Sequence, residues 1–96
     1  MNQLSLPFQR HSDTSRAAAI AIEEDSEAQL WLVKRFINRC GDDGCTDEEG
    51  YTALDMNPST YRPRRIDLVK KYGTVKDSGR RRHTRAGRWA VVWVAT

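Results

Sequence analysis

Apolar positions recur at helical spacing through the first two thirds of the chain and give way to an alternating pattern in the last third. The helical spacing predicts four helices, near 14–24, 27–40, 47–54 and 58–72. The alternating pattern predicts two strands, near 74–77 and 88–94, on either side of a polar loop over 78–87. Helices followed by a hairpin predict a small α+β domain.

Two tetrapeptides mark where predicted helices begin. Residues 26–29 and 46–49 each place Gln or Glu three positions after Ser or Thr, which is the pattern of a capping box. In the helix after the first box, Trp31 and Phe36 are expected in the core. In the helix after the second box, Gly50 costs about 1 kcal/mol relative to alanine. We therefore expect that helix to be short or loose.

The fourth predicted helix follows a tight turn and contains two prolines. Asp55 in the turn tolerates left-handed backbone geometry. Pro58 suits the first turn of the helix, and Ser59 or Thr60 can supply its cap. Pro63 is expected within the same first turn, where the missing N–H breaks no internal hydrogen bond.

Charge is divided unevenly between the two parts of the 96-residue chain. Residues 1–57 carry five Lys or Arg and eleven Asp or Glu, a net charge of −6. Residues 58–96 carry eleven basic residues and two acidic ones, a net charge of +9. Such an asymmetry indicates an anionic partner, nucleic acid in particular. The overall charge of +3 is mild, so a solvated basic face is the alternative interpretation.

Two tracts of the sequence resemble a known family. Residues 46–65, TDEEGYTALDMNPSTYRPRR, look like a helix-turn-helix, and residues 66–93 look like the end of a recognition helix followed by a wing. Together, residues 26–94 resemble the winged-helix DNA-binding family, and small phage-encoded members of it in particular. Residues 1–11 show no periodicity and are expected to form a flexible arm. The resemblance implies a winged-helix domain over 12–96. It also implies binding of double-stranded DNA by a transcriptional regulator of a phage or mobile element.

The implied recognition helix, residues 58–72, carries the hydroxyl and guanidinium groups that can read base edges. In the major groove each base pair presents a distinct set of donors and acceptors. The candidate contacts on this helix are Ser59, Thr60, Arg62, Arg64 and Arg65.

Helical spacing predicts that these side chains point toward different faces of the helix. Arg65 shares a stripe with Tyr61 and Leu68, which are expected to face the core. We therefore expect Arg65 to be partly buried, or to pair with an acid such as Glu48. Arg62 is expected to point outward most.

The implied wing, residues 78–88, is rich in arginine. Its candidate DNA contacts are Arg80, Arg81, Arg82, Arg85 and Arg88. A flexible arginine loop beside a major-groove helix can reach phosphates or a narrow minor groove. A hairpin tip needs fewer arginines than this for solubility, so DNA binding is favoured over a purely solvating role.

The sequence contains no pattern typical of catalysis, of a cofactor site or of a metal site. Cys40 and Cys45 lack two further ligands nearby, so we expect no zinc, and a reducing cytosol disfavours a disulfide between them. The acidic residues over 42–49 lack the spacing of a calcium loop. We therefore expect a binding protein and not an enzyme.

Partners and location are expected from the same features. The apolar runs over 17–22 and 89–95 are too short to span a bilayer and no secretory signal is evident, which predicts a cytoplasmic protein without a membrane partner. Trp89 and Trp93 could form the edge of a homodimer. The alternative function is a winged helix that docks on and modulates a host protein through its acidic half. Binding of RNA or of a replication fork is a further alternative.

Overall fold

Three α-helices followed by a β-hairpin make up residues 25–96, the residues that this computed structural model describes. The helices are α1 (Ser26–Cys40), α2 (Asp47–Ala53) and α3 (Pro58–Lys70), and the strands are β1 (Val75–His83) and β2 (Trp89–Ala95). A short 3-10 turn, Gly41–Asp43, links α1 to α2. The predicted α+β organisation is confirmed. The arm over 1–11 and the helix predicted near 14–24 lie outside the described residues.

Side-chain caps define where α1 and α2 begin. The Asp25 carboxylate accepts hydrogen bonds from the N–H groups of Glu27 and Ala28, so Asp25 caps α1 in place of the predicted box at 26–29. The second box is confirmed. The Thr46 N–H donates to Glu49 and the Glu49 N–H donates back to the Thr46 hydroxyl, both at 3.1 Å.

The start of α3 differs from the prediction in two ways. Asn57 is the cap, because its side-chain oxygen accepts from the N–H of Ser59 at 2.8 Å and from the Ser59 hydroxyl at 2.6 Å. Ser59 and Thr60 therefore lie inside the helix. Pro63 also lies well inside α3 and not in its first turn. Its ring removes one internal hydrogen bond, which the packing of the helix must offset.

The core forms where α1, α3 and the hairpin meet. Its buried members come from these elements and from the segment before α2: Val33, Ile37, Cys45, Tyr61, Leu68 and Val75. Tyr61 and Leu68 face the core as predicted. Phe36 packs against this core, but Trp31 is 57% exposed, so its predicted burial is wrong.

Close contact with Tyr61 explains the glycine in α2. Gly50 is buried, and a Cβ at this position would overlap the Tyr61 ring. The helix is short, as expected, but glycine is there because α2 and α3 approach closely. Asp55, in the turn between these helices, adopts the left-handed backbone (φ 53°) that was expected of it.

The hairpin is longer than predicted. β1 continues to His83, and residues 81–83, which were assigned to a flexible loop, pair with β2. The register shifts between Asp77 and Arg81, where Gly79 (φ 87°) forms part of a bulge. The turn at the tip is confined to residues 84–88.

One further bridge ties the hairpin to the helices. Cys45, just before α2, exchanges two backbone hydrogen bonds with Trp93 of β2, at 2.8 and 3.0 Å. The bridge fixes α2 beside the strand. Within residues 25–96, each helix is too short or too polar to cross a membrane.

Candidate nucleic-acid interface

Arg65 is held inside the protein. Its guanidinium donates two hydrogen bonds to the Asp47 carboxylate, at 2.9 and 2.6 Å, and its other side lies 4.2 Å from the centre of the Trp93 ring. Both charged side chains are about 15% exposed. The expectation that Arg65 is partly buried and paired is confirmed, with Asp47 as the acid in place of Glu48. Arg65 therefore joins α3, α2 and β2.

Arg64 is also turned toward the protein. Its guanidinium donates to the side-chain oxygen of Gln29 on α1 at 3.3 Å and lies 4.0 Å from Asp67 on its own helix. The side chain is only 23% exposed. Arg64 therefore contributes mainly to the packing of α3 against α1.

Arg62 points outward, as expected. Its side chain is 53% exposed, lies 3.9 Å from Asp47 and sits 5.5 Å above the Tyr51 ring. Asp47 already accepts both hydrogen bonds of Arg65, so Arg62 is only loosely held. Ser59 is exposed as well, although its hydroxyl is engaged by the cap, and Thr60 is half-buried.

Ile66 is an exposed residue on α3 that the sequence did not single out. It is 40% exposed and lies one turn beyond Arg62. An aliphatic side chain in that place can contact a thymine methyl group.

Two of the arginines in β1 brace the loop before α2. Arg80 donates to the backbone carbonyls of Asp42 and Asp43. Arg82 lies 3.1 Å from the Glu49 carboxylate and donates to the Gly44 carbonyl, also at 3.1 Å. These contacts hold the 3-10 turn against the hairpin.

Arg81 is less firmly held than its two neighbours. It pairs with Asp77 on its own strand at 3.3 Å, with both side chains nearly half exposed. The prediction of a loop of free arginines is therefore wrong for residues 80–82, because β1 extends through them and Arg80 and Arg82 contact internal acceptors.

Arg85 and Arg88, at the tip of the hairpin, differ from the strand arginines. Both are exposed, and no carboxylate of residues 25–96 lies within 4.0 Å of either guanidinium. The tip itself is anchored, since the Arg85 N–H donates to Glu48 of α2 at 2.8 Å. These two guanidinium groups are thus available to an anion while the backbone that carries them is fixed.

A cleft separates the tip of the hairpin from α2 and α3. Its volume is about 310 Å³. Its lining includes three arginines and three aromatic residues: Arg62, Arg65, Arg88, Tyr51, Trp89 and Trp93. Trp89 is 69% exposed and contacts His83, with ring centres 4.0 Å apart and ring planes tilted by 54°.

Several members of this cleft were not among the candidate site residues that the sequence indicated. Asp47 and Tyr51 belong to the helix before the recognition helix, and only the folded arrangement brings them to Arg62 and Arg65. Trp89 and Trp93 were assigned to a dimer edge. One signal did exist, because alternation along the last strand places both tryptophans on one face.

Burial shifts the pKa of three groups near the core. Desolvation raises the pKa of Cys45 to about 12, and it also raises the pKa values of Cys40 and Tyr61. Both thiols are free. Within residues 25–96, no three His, Cys, Asp or Glu side chains gather closely enough to hold a metal ion.

Comparison with models of known protein families, with characterised proteins and with solved structures found no match.

Proposed function

We propose that the protein is a winged-helix domain that binds double-stranded DNA, with α3 in the major groove and the tip of the hairpin against the backbone or the minor groove. The order of elements supports this assignment. The Cys45 bridge precedes α2, α3 and the hairpin, and it pairs with β2 as a short third strand of the sheet would.

The observation that carries the proposal is that Arg62 and Arg88 line the same cleft. One is on a rigid helix and the other on the anchored tip of the hairpin, so both can engage one duplex. A helix suits the major groove, and exposed guanidinium groups beside it suit the phosphates at its rim. The basic charge of residues 58–96 adds a long-range attraction for DNA.

The arginines then divide into two groups. Arg62 reads base edges, while Arg85 and Arg88 neutralise phosphates. Arg65, Arg82 and their partners position those residues without touching DNA. A duplex binder of this size, with its resemblance to phage-encoded winged-helix proteins, fits a transcriptional regulator of a phage or mobile element.

Salt-dependent binding tests the proposal. Each phosphate neutralised adds about −0.9 to the slope of log K against log salt concentration. Replacing Arg85 and Arg88 together by Ala should therefore make the slope shallower by about one to two units on any duplex. Arg62→Ala should instead reduce the preference for a selected site by about 1–3 kcal/mol while leaving the slope nearly unchanged.

A matched control removes the same charge elsewhere. Arg35 and Arg39 are exposed on α1 and do not line the cleft. Replacing both by Ala should leave the slope unchanged. If replacing Arg35 and Arg39 changes the slope as much as replacing Arg85 and Arg88 does, DNA does not bind at one particular face of the protein. The proposed interface would then be wrong.

Docking on a host protein has less support. That alternative relies on the acidic half as a free surface, yet three acids of α2 have internal partners: Asp47, Glu48 and Glu49. The proposed dimer edge is also partly covered, because the backbone of Trp93 is already paired with the backbone of Cys45. If neither the tip pair nor Arg62→Ala changes DNA binding, the host-protein function becomes the better candidate.

A further inference from the structure

We propose that the cleft beside the hairpin tip binds one unpaired nucleotide, so that the protein prefers duplex DNA with a single-stranded tail over fully paired duplex. This inference rests on the proposed function and specifies its substrate. The residues that carry it are Trp89, His83, Arg62 and Arg88.

Trp89 is a ready-made surface for stacking. It is 69% exposed, and His83 lies against its ring at 4.0 Å, which restricts its orientation. The other aromatic rings of the cleft are less available, since Arg65 covers Trp93 and Arg62 lies over Tyr51. Trp89 is therefore the ring that an incoming planar group can reach.

Charge decides what kind of planar group fits. Arg62 and Arg88 border the same cleft and have no strong internal partner. The acids of the cleft are already engaged, because Asp47 holds Arg65 and Glu48 accepts the Arg85 N–H. An apolar protein segment would bury these guanidinium groups without partners, which is costly. A nucleotide brings a base for Trp89 and a phosphate for Arg88, and Arg62 remains free to contact base edges of the adjoining duplex.

Geometry requires that the base be unpaired. Within a continuous duplex the faces of the bases are stacked on one another and only their edges are exposed in the grooves. A tryptophan ring can stack on a base only at an end, a junction or a single-stranded segment. The cleft volume, about 310 Å³, lies at the lower end of the range for small-molecule sites, roughly 300–1,000 Å³. It therefore has room for one nucleotide.

Binding to matched DNA substrates tests the inference. The probes are one duplex sequence in three forms: blunt, with a short thymidine tail, and with the same tail made of abasic residues. Stacking on one base is worth about 1–3 kcal/mol, so the tailed duplex should bind roughly 5- to 150-fold more tightly than the blunt one. The abasic tail keeps its phosphates but should lose most of that gain.

Variants of two exposed tryptophans assign the effect to the cleft. Trp89→Ala should abolish the advantage of the tail and leave affinity for blunt duplex nearly unchanged, while Trp89→Phe should keep part of the advantage. Trp31 is also exposed but lies on α1 outside the cleft, so Trp31→Ala should behave like wild type. Far-ultraviolet circular dichroism establishes that each variant is folded.

The outcomes separate this inference from the function on which it rests. Equal affinity for blunt and tailed duplexes, or an equal gain from the abasic tail, overturns the nucleotide site and leaves duplex binding standing. A loss of affinity on blunt and tailed duplexes alike in Trp89→Ala overturns it too, because Trp89 would then contact paired DNA. Absence of binding to every duplex refutes the proposed function itself.

Discussion

Gly50 lies so close to Tyr61 that a single methyl group on its α-carbon would overlap the phenol ring. This contact brings α2 close to α3 and fixes how the two helices pack against each other. Tyr61 is completely buried, so the packing around its ring holds it there. The proposed recognition helix is thus positioned by a contact between a glycine and an aromatic ring.

We expect Gly50→Ala to destabilise the protein although alanine is the better helix former. The propensity gain is about 1 kcal/mol, whereas an overpacked core typically costs about 1–3 kcal/mol and sometimes more. Since Tyr61 is completely buried, its ring has no free space to enter, and we expect the cost to prevail. Urea denaturation measures the difference. Thr52→Ala, at an exposed position of the same helix, is the control and should be neutral or slightly stabilising.

Substitutions of Arg65 should lower the stability of the protein, whereas substitution of Arg62 should affect DNA binding and leave stability nearly unchanged. Arg65→Ala leaves the half-buried Asp47 without its two hydrogen bonds and uncovers Trp93, which should cost about 2–4 kcal/mol. Arg65→Lys should recover little of this loss, because an ammonium group cannot form the bidentate pair of hydrogen bonds with the carboxylate. Arg62→Ala should change the free energy of unfolding by less than about 0.5 kcal/mol. Equal destabilisation by Arg62→Ala and Arg65→Ala would contradict this division.

The strand arginines should control the order of the loop between α1 and α2. Replacing Arg80 and Arg82 by Ala removes their contacts to the carbonyls of residues 42–44 and to Glu49. Amide hydrogen exchange in residues 41–46 should then become faster. Replacing Arg85 and Arg88 should leave exchange in that loop unchanged. If the tip pair accelerates exchange as much as the strand pair, the bracing role assigned to β1 is wrong.

Local signals in the sequence were sufficient to predict much of the fold. The Thr46–Glu49 capping box marks α2 because both of its hydrogen bonds join neighbours in the chain. The spacing of Tyr61, Arg65 and Leu68 placed all three on the inner side of α3, because helical periodicity alone determines that stripe.

Features that depend on distant residues were missed. The extent of β1 could not be predicted because Ser, Gly and Arg have little strand preference, and residues 81–83 are strand only because β2 pairs with them. Trp31 has the hydrophobicity of a core residue but lies on the outer side of α1. The cleft could not be foreseen either, since Asp47, Trp89 and Arg62 come from three separate elements.

Alkaline pH should destabilise the domain through Cys45. Burial raises the pKa of this thiol from an ordinary value of 9.0 to about 12, so the folded state keeps a proton that the unfolded chain releases. The contribution to stability is complete below about pH 9 and is lost as the pH rises from there toward 12. For one proton the free energy of unfolding falls by at most about 1.4 kcal/mol per pH unit.

Urea denaturation at closely spaced pH values between 8 and 10 measures this slope. Cys45→Ala should lower the stability at pH 8 through loss of a buried side chain, yet its stability should fall less steeply above pH 9, because one fewer thiol is released from burial on unfolding. Tyr61→Phe is the informative control. The pKa of Tyr61 is raised from an ordinary value of 10.0, so its phenol contributes mainly above this range and the slope from Cys45 should persist. An unchanged slope in Cys45→Ala would mean that the thiol can ionise within the folded domain, and therefore that the contact between Cys45, Tyr61 and β2 opens more readily than the closed packing of this core implies.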